Sequence, residues 1–194
     1  MQLKYNLRAQ IAMSLNRLSK LIPPPEVPTY VPTEADWEIL AKRLGTNLPD
    51  SVKELCSVYG MGTFRGNQAT AISIHCPGYR GGVDDFINEY DRLKEVRGTH
   101  ISNEQPFNVF PEENGILPLG LDETDVWLCW KTTEKVNDWE IVVRWTFGPN
   151  GLKTFNMGLC EFLVALFERK ITLPCWPPPH FTDSVHFAPF TAAL

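Results

Sequence analysis

Two runs, Asp125-Val126-Trp127-Leu128-Cys129-Trp130-Lys131 and Trp139-Glu140-Ile141-Val142-Val143-Arg144-Trp145, constrain this chain more than any other feature. Both are dense in β-branched and aromatic residues, which suit a pleated, packed surface and predict neighbouring strands of an antiparallel sheet. Strand alternation sets Trp139, Ile141, Val143 and Trp145 on one face, which is expected to be core. It also sets Trp127 and Cys129 against Trp130. Trp127 and Trp130 can therefore both be core only if helices or the C-terminal tail cover both faces; otherwise one is exposed and available to anchor an interface.

A turn-rich entry, Phe110-Pro111-Glu112-Glu113-Asn114-Gly115, and the apolar run Ile116-Leu117-Pro118-Leu119-Gly120 lead into these strands. Upstream, Thr33-Glu34-Ala35-Asp36 reads as a helix N-cap with acids in the first turn, followed by the apolar face Trp37, Leu40, Ala41 and Leu44 and a terminating Gly45. Pro49 opens a second helix with Val52, Leu55, Cys56 and Tyr59 as its buried stripe, closed by Gly60. Gly60-Met61-Gly62-Thr63-Phe64-Arg65-Gly66 reads as a flexible turn. As a phosphate loop it fails, because its spacing is wrong, it follows a helix, and no Gly-Lys-Ser/Thr is present. A short strand over 69–74, a helix over 82–96, a strand over 152–155 and an amphipathic helix over 157–170 complete the order. Helices thus flank a mainly antiparallel sheet, an α+β arrangement.

Two extensions bracket this unit. Leu3, Leu7, Ile11, Leu15, Leu18 and Ile22 recur at helical spacing until Pro23-Pro24-Pro25, so residues 1–32 read as a basic amphipathic helix joined by a stiff proline-rich linker. That helix either packs on the domain, pairs two subunits, or meets an anionic membrane. Residues 33–171 form the domain. Residues 172–194 are rich in proline and aromatics, and are expected to lie against the domain without forming a helix.

Charge is uneven along the chain. Its net value of −5 argues against direct nucleic-acid binding. Residues 1–22 carry Lys4, Arg8, Arg17 and Lys20 with no acid. Between Arg97 and Lys131 no Lys or Arg occurs, while Glu104, Glu112, Glu113, Asp122, Glu123 and Asp125 accumulate six negative charges. This interval either keeps the protein soluble or forms an acidic rim that steers a basic partner. The five cysteines (Cys56, Cys76, Cys129, Cys160, Cys175) include no C-x-x-C pair. The N-terminus has no continuous apolar leader, and no apolar run long enough to span a bilayer is present. A cytoplasmic protein without a membrane span is the expectation.

Catalytic and metal chemistry find little footing. His75, His100, His180 and His186 lie in no nucleophile–base motif. His75-Cys76 with Cys175 and His180 follows no familiar zinc spacing. The adjacent acids Glu112/Glu113 and Asp122/Glu123 sit on solvated loops where nothing separates their pKa values, so they suit glycoside hydrolysis poorly. No catalytic residue, cofactor or metal is expected.

Trp37-x-x-Leu40, Leu44-Gly45, Leu48-Pro49, Leu55 and Tyr59-Gly60, then Phe110-Pro111, Gly115-Ile116-Leu117-Pro118-Leu119-Gly120 and Glu161-Phe162-Leu163, resemble in order and spacing the SUKH superfamily. That superfamily includes yeast cell-wall-assembly regulators and many bacterial immunity proteins. Over residues 33–171 the resemblance implies an α+β domain with neither catalytic centre nor cofactor. It also implies binding and neutralisation of a cognate protein toxin, often a nuclease. One departure is Thr124-Asp125, standing where a Gly-Asp turn is expected. The acidic rim (Glu104, Glu112, Glu113, Asp122, Glu123, Asp125) is the expected partner surface: its charge would mimic the phosphates that a basic toxin binds. The alternative is a non-enzymatic scaffold or regulatory module acting through the basic helix and its linker.

Overall fold

The computed structural model describes residues 2–66, 71–98, 106–146, 151–177, 181 and 185–191. Among them the chain forms helices α1 (Gln2–Leu21), α2 (Glu34–Leu44) and α3 (Asp50–Tyr59), strands β1 (Gly62–Arg65) and β2 (Ala71–Ile74), and helix α4 (Gly82–Gly98). Strands β3 (Ile116–Asp122), β4 (Trp127–Lys131), β5 (Glu140–Trp145) and β6 (Gly151–Phe155), helix α5 (Leu159–Phe167) and strand β7 (His186–Pro189) follow. The seven strands make one antiparallel sheet in the order β6-β5-β4-β3-β2-β1-β7. This is the α+β arrangement expected, with the two tryptophan-rich strands β4 and β5 paired near its middle.

Both faces of that centre are covered. Trp127, Trp130, Trp139 and Trp145 are all buried, as are Leu128, Cys129, Ile141, Val142 and Val143. The Arg92 guanidinium of α4 stacks 5.0 Å from the Trp127 ring centroid, an arrangement that combines burial with cation–π attraction. The tryptophans therefore serve packing and none is left to anchor an interface.

The helix boundaries follow from capping chemistry. Thr33 caps α2: its hydroxyl accepts from the Asp36 N–H at 3.3 Å while its own N–H donates to the Asp36 carboxylate at 2.8 Å. Gly45, at φ +77°, ends the helix in the left-handed conformation that glycine adopts at no cost. The first N–H of α3 is capped from a distance, by the Asn137 side-chain oxygen at 2.8 Å. Helix α5 is shorter than its amphipathic pattern suggested, because Gly158 stands at its N-cap and Arg169 turns to φ +62° just beyond it.

The expected flexible turn over Gly60–Gly66 is instead strand β1, paired with β2 on one side and with β7 from the C-terminal tail on the other. Its glycines answer close approach. A Cβ at Gly62 would meet the Ala188 carbonyl oxygen at 2.5 Å, so the edge strand fits only because that side chain is missing. The tail lies against the domain as expected and contributes this strand, with Phe187 packed on Tyr59 and Phe64, and Phe181 on Phe167.

Helix α1 packs against α5 and α3. Leu18 and Ile22 are fully buried, and the Tyr59 hydroxyl donates to the Ile22 carbonyl at 2.7 Å, tying the linker down. Arg17 pairs with Glu168, whose carboxyl is held below its usual range by Arg17 and then Lys170.

Candidate functional site

The acidic interval does not form one rim. Its described members divide between the two ends of β3, roughly 20 Å apart for a strand of this length. At the β3 entrance Glu112 pairs with Arg97 of α4, while Glu113 is exposed. At the exit Asp125 accepts from Arg92 at 2.7 Å and Glu123 lies 3.5 Å from Arg65. The interval lacks Lys and Arg in sequence, but the fold brings in Arg65, Arg92 and Arg97 from elsewhere, so the expected single-sign field is largely answered. Arg17 of the basic helix engages Glu168 instead. Glu104 lies outside the described residues.

Asp122 is a correction to the expected partner surface. It is only 4% exposed. One oxygen accepts from the Thr124 N–H at 2.7 Å and the Val126 N–H at 2.9 Å; the other accepts from the Trp176 indole at 2.7 Å. This carboxylate organises the β3–β4 turn and clamps the tail. It also accounts for Thr124-Asp125: Asp125 takes φ +61°, a left-handed position that aspartate tolerates better than most non-glycine residues. The Asp–turn hydrogen bonds hold the loop where a glycine would otherwise be needed.

A cavity of about 280 Å³ adjoins this turn. Its floor is one face of the sheet, where Thr63, Ser73 and Leu121 stand in register across β1, β2 and β3. His75 follows Ser73 on the same face, and its ring packs 5.4 Å from Phe86 of α4. The first turn of α4, with Asp85, and the Glu123 side of the β3–β4 turn border the opening. Two side-chain atoms of the lining residues, Thr63 Oγ1 and His75 Nε2, lie beneath the cavity surface, sealed from solvent, and have no hydrogen-bond partner among the described residues. Burial drives the His75 imidazole down to about 4 from its usual 6.5, so it is neutral at physiological pH.

Sequence reasoning missed Thr63 and weighed His75 only against catalytic and zinc motifs that it does not match. Reading β1 as a turn removed Thr63 from any sheet face. The alternation of Ala71 and Ser73 against Ile72 and Ile74 was the available signal, and extending it by one step places His75 beside Ser73.

A serine nucleophile needs its hydroxyl bonded to the histidine base, and His75 Nε2 accepts nothing from Ser73. All five cysteines are free and buried, and burial pushes the thiols of Cys129, Cys160 and Cys175 up to about 12. Among the described residues no group of three or more His, Cys, Asp or Glu side chains is arranged to hold a metal; His180 lies outside them. No described helix is long and apolar enough to cross a membrane. A second, larger groove of about 600 Å³ runs between α1 and the start of α5, bordered by Met13, which is 72% exposed. No family model matches the chain, and no curated protein or solved structure matches it either.

Proposed function

We propose that this protein is a cytoplasmic immunity protein, SUKH-like over residues 33–171, that binds a cognate polymorphic toxin stoichiometrically and performs no chemistry of its own. The observation that carries the reading is the cavity beside the β3–β4 turn. It is an open recess edged by Asp85 and Glu123, and Ser73 makes no hydrogen bond to His75 Nε2 in it. The motif order from Trp37 to Phe162 supports it independently.

The proposed contact face is narrower than the acidic interval. It is centred on the β1–β3 face and edged by Asp85 and Glu123, with Glu112 and Glu113 at the periphery and Asp122 excluded by burial. A partner of basic character fits this edge. Co-expression with the toxin encoded beside this chain should restore growth and yield a one-to-one complex; neither protection nor complex would sink the proposal. Within a complex, Glu123→Lys with Asp85→Lys should slow association at low salt several-fold more than Glu112→Lys with Glu113→Lys.

The exposed Met13 favours one second reading, a scaffold that captures its partner through the α1 groove. Removing residues 1–32 would not test it cleanly, because Leu18 and Ile22 belong to the core. Met13→Glu leaves that core intact and should abolish capture only on the scaffold reading.

A further inference from the structure

We propose that two copies of this chain pair through the N-terminal half of α1, each laying that half of its helix into the other's groove between α1 and the start of α5.

Helix α1 is used unevenly along its length. Towards its C-terminal end Leu18 and Ile22 are sealed in the core, and Leu15 packs half-buried against it. One turn earlier Ile11 is only half-buried, and Met13 is 72% exposed. Arg17 pairs with Glu168 past the end of α5, whereas Gln10 and Ser14 border the groove together with Gly158 and Glu161. The two helices therefore run side by side in the same direction. Their lengths do not match, since α1 has 20 residues and α5 has nine. Residues 2–9 continue α1 for about 12 Å beyond Gln10. The spacing that places Leu15, Leu18 and Ile22 on the domain runs on in the sequence through Leu7 and Leu3. An apolar stripe that outruns the helix it packs on is a ridge suited to a groove on another molecule.

Charge selects what that groove accepts. Asp138, Glu140 and Glu161 border it. Glu140 lies 3.8 Å from Lys131, but Asp138 and Glu161 are exposed and form no ion pair among the described residues. An occupant with bases beside an apolar stripe answers these carboxylates, and an acidic one would be repelled. The first half of α1 has that composition, with Lys4 and Arg8 and no acid.

Placement selects a second copy. Ridge and groove adjoin each other on one patch, and Met13 stands at their boundary. A two-fold axis at that boundary seats each ridge in the opposite groove, so the same contact is made twice. Each ridge is short, so pairing is expected to be modest, with a dissociation constant of about 1–100 µM.

The test uses the intact chain alone, so failure of the immunity reading would leave it untouched. Sedimentation equilibrium should show monomer and dimer exchanging in that range. Met13→Glu should weaken pairing at least ten-fold while thermal unfolding stays cooperative, because Met13 lies outside the core. Lys4→Glu with Arg8→Glu reverses the ridge, and Asp138→Lys with Glu161→Lys reverses the groove. Each double variant alone should be monomeric. An equimolar mixture of the two should pair about as tightly as wild type, because both ridges then meet grooves of opposite sign. A wild-type chain still monomeric at about 1 mM overturns the pairing, as does a mixture that fails to associate or a double variant that dimerises alone. Binding of the monomer to phosphatidylserine vesicles through Lys4 and Arg8, without dimerisation, would assign the helix to a membrane and also overturn it.

Discussion

Two polar clusters lie side by side around the exit of β3, and they are finished to opposite degrees. Around Asp122 every available bond is made: two backbone N–H groups, the Thr124 hydroxyl and the Trp176 indole all donate to one buried carboxylate. A few residues away, across β2 and β1, His75 Nε2 and Thr63 Oγ1 are just as enclosed and bond to nothing described. Buried polar groups are ordinarily satisfied. The complete cluster therefore stabilises the fold, and the incomplete one is a cost that the fold carries.

The largest test of that contrast removes the finished cluster. Asp122→Ala strands the Val126 and Trp176 donors in the interior, and we expect it to cost about 3–5 kcal/mol in urea unfolding. Asp122→Asn keeps an acceptor for the turn but turns an amide N–H toward the Trp176 indole, so it should fall between Ala and wild type. A loss under about 1 kcal/mol for Ala would show that the carboxylate is not structural and would return it to the list of contact residues.

The next effect tests the unfinished cluster by pH. The His75 imidazole titrates near 6.5 when unfolded and near 4 when folded. The unfolded chain therefore binds a proton first as pH falls. Stability from this group is complete above pH 6.5 and declines between pH 6.5 and 4. The full shift would correspond to about 3 kcal/mol, and hydration of the ring's open edge lowers the expectation to about 2 kcal/mol. His75→Gln should flatten this segment of the stability–pH curve, which chemical denaturation at several pH values would measure directly.

How far each cluster was legible in sequence follows from its physics. The strands of the centre, the Thr33 cap and the Gly45 stop announce themselves through local composition, and the fold class follows from their order. Asp122 looked like one more loop acid, because its burial depends on Trp176, 54 positions away. The answering of the acidic interval by Arg65, Arg92 and Arg97 is equally non-local, since a window of sequence counts charge along the chain and not across space. Strand β1 was hidden by its glycines. Gly62 is there to admit the Phe187–Ala188 backbone, and nothing in a glycine separates that role from a turn. The cavity floor was lost with it.

Two threonines allow a smaller and sharper comparison. Thr132 is buried, and its hydroxyl donates to the Gly115 carbonyl at 2.8 Å. Replacing it with the near-isosteric valine should cost about 1 kcal/mol, the net worth of one buried hydrogen bond. A thermal melt would resolve the corresponding fall of a few degrees.

Thr63→Val carries the smallest effect and the opposite sign. Its hydroxyl is enclosed without a described partner, and it sits in a strand, where a branched hydrocarbon packs well. The substitution trades an unpaired polar atom for a methyl group of nearly the same shape, so we expect stability to rise by about 0.5 kcal/mol. Loss of a satisfied hydroxyl should weaken the fold, whereas loss of an enclosed, unpaired one should strengthen it. Destabilisation by more than about 1 kcal/mol, as large as that expected at Thr132, would mean that the Thr63 hydroxyl is satisfied in the folded state. The distinction between a finished and an unfinished cluster would then fail at its most exposed point.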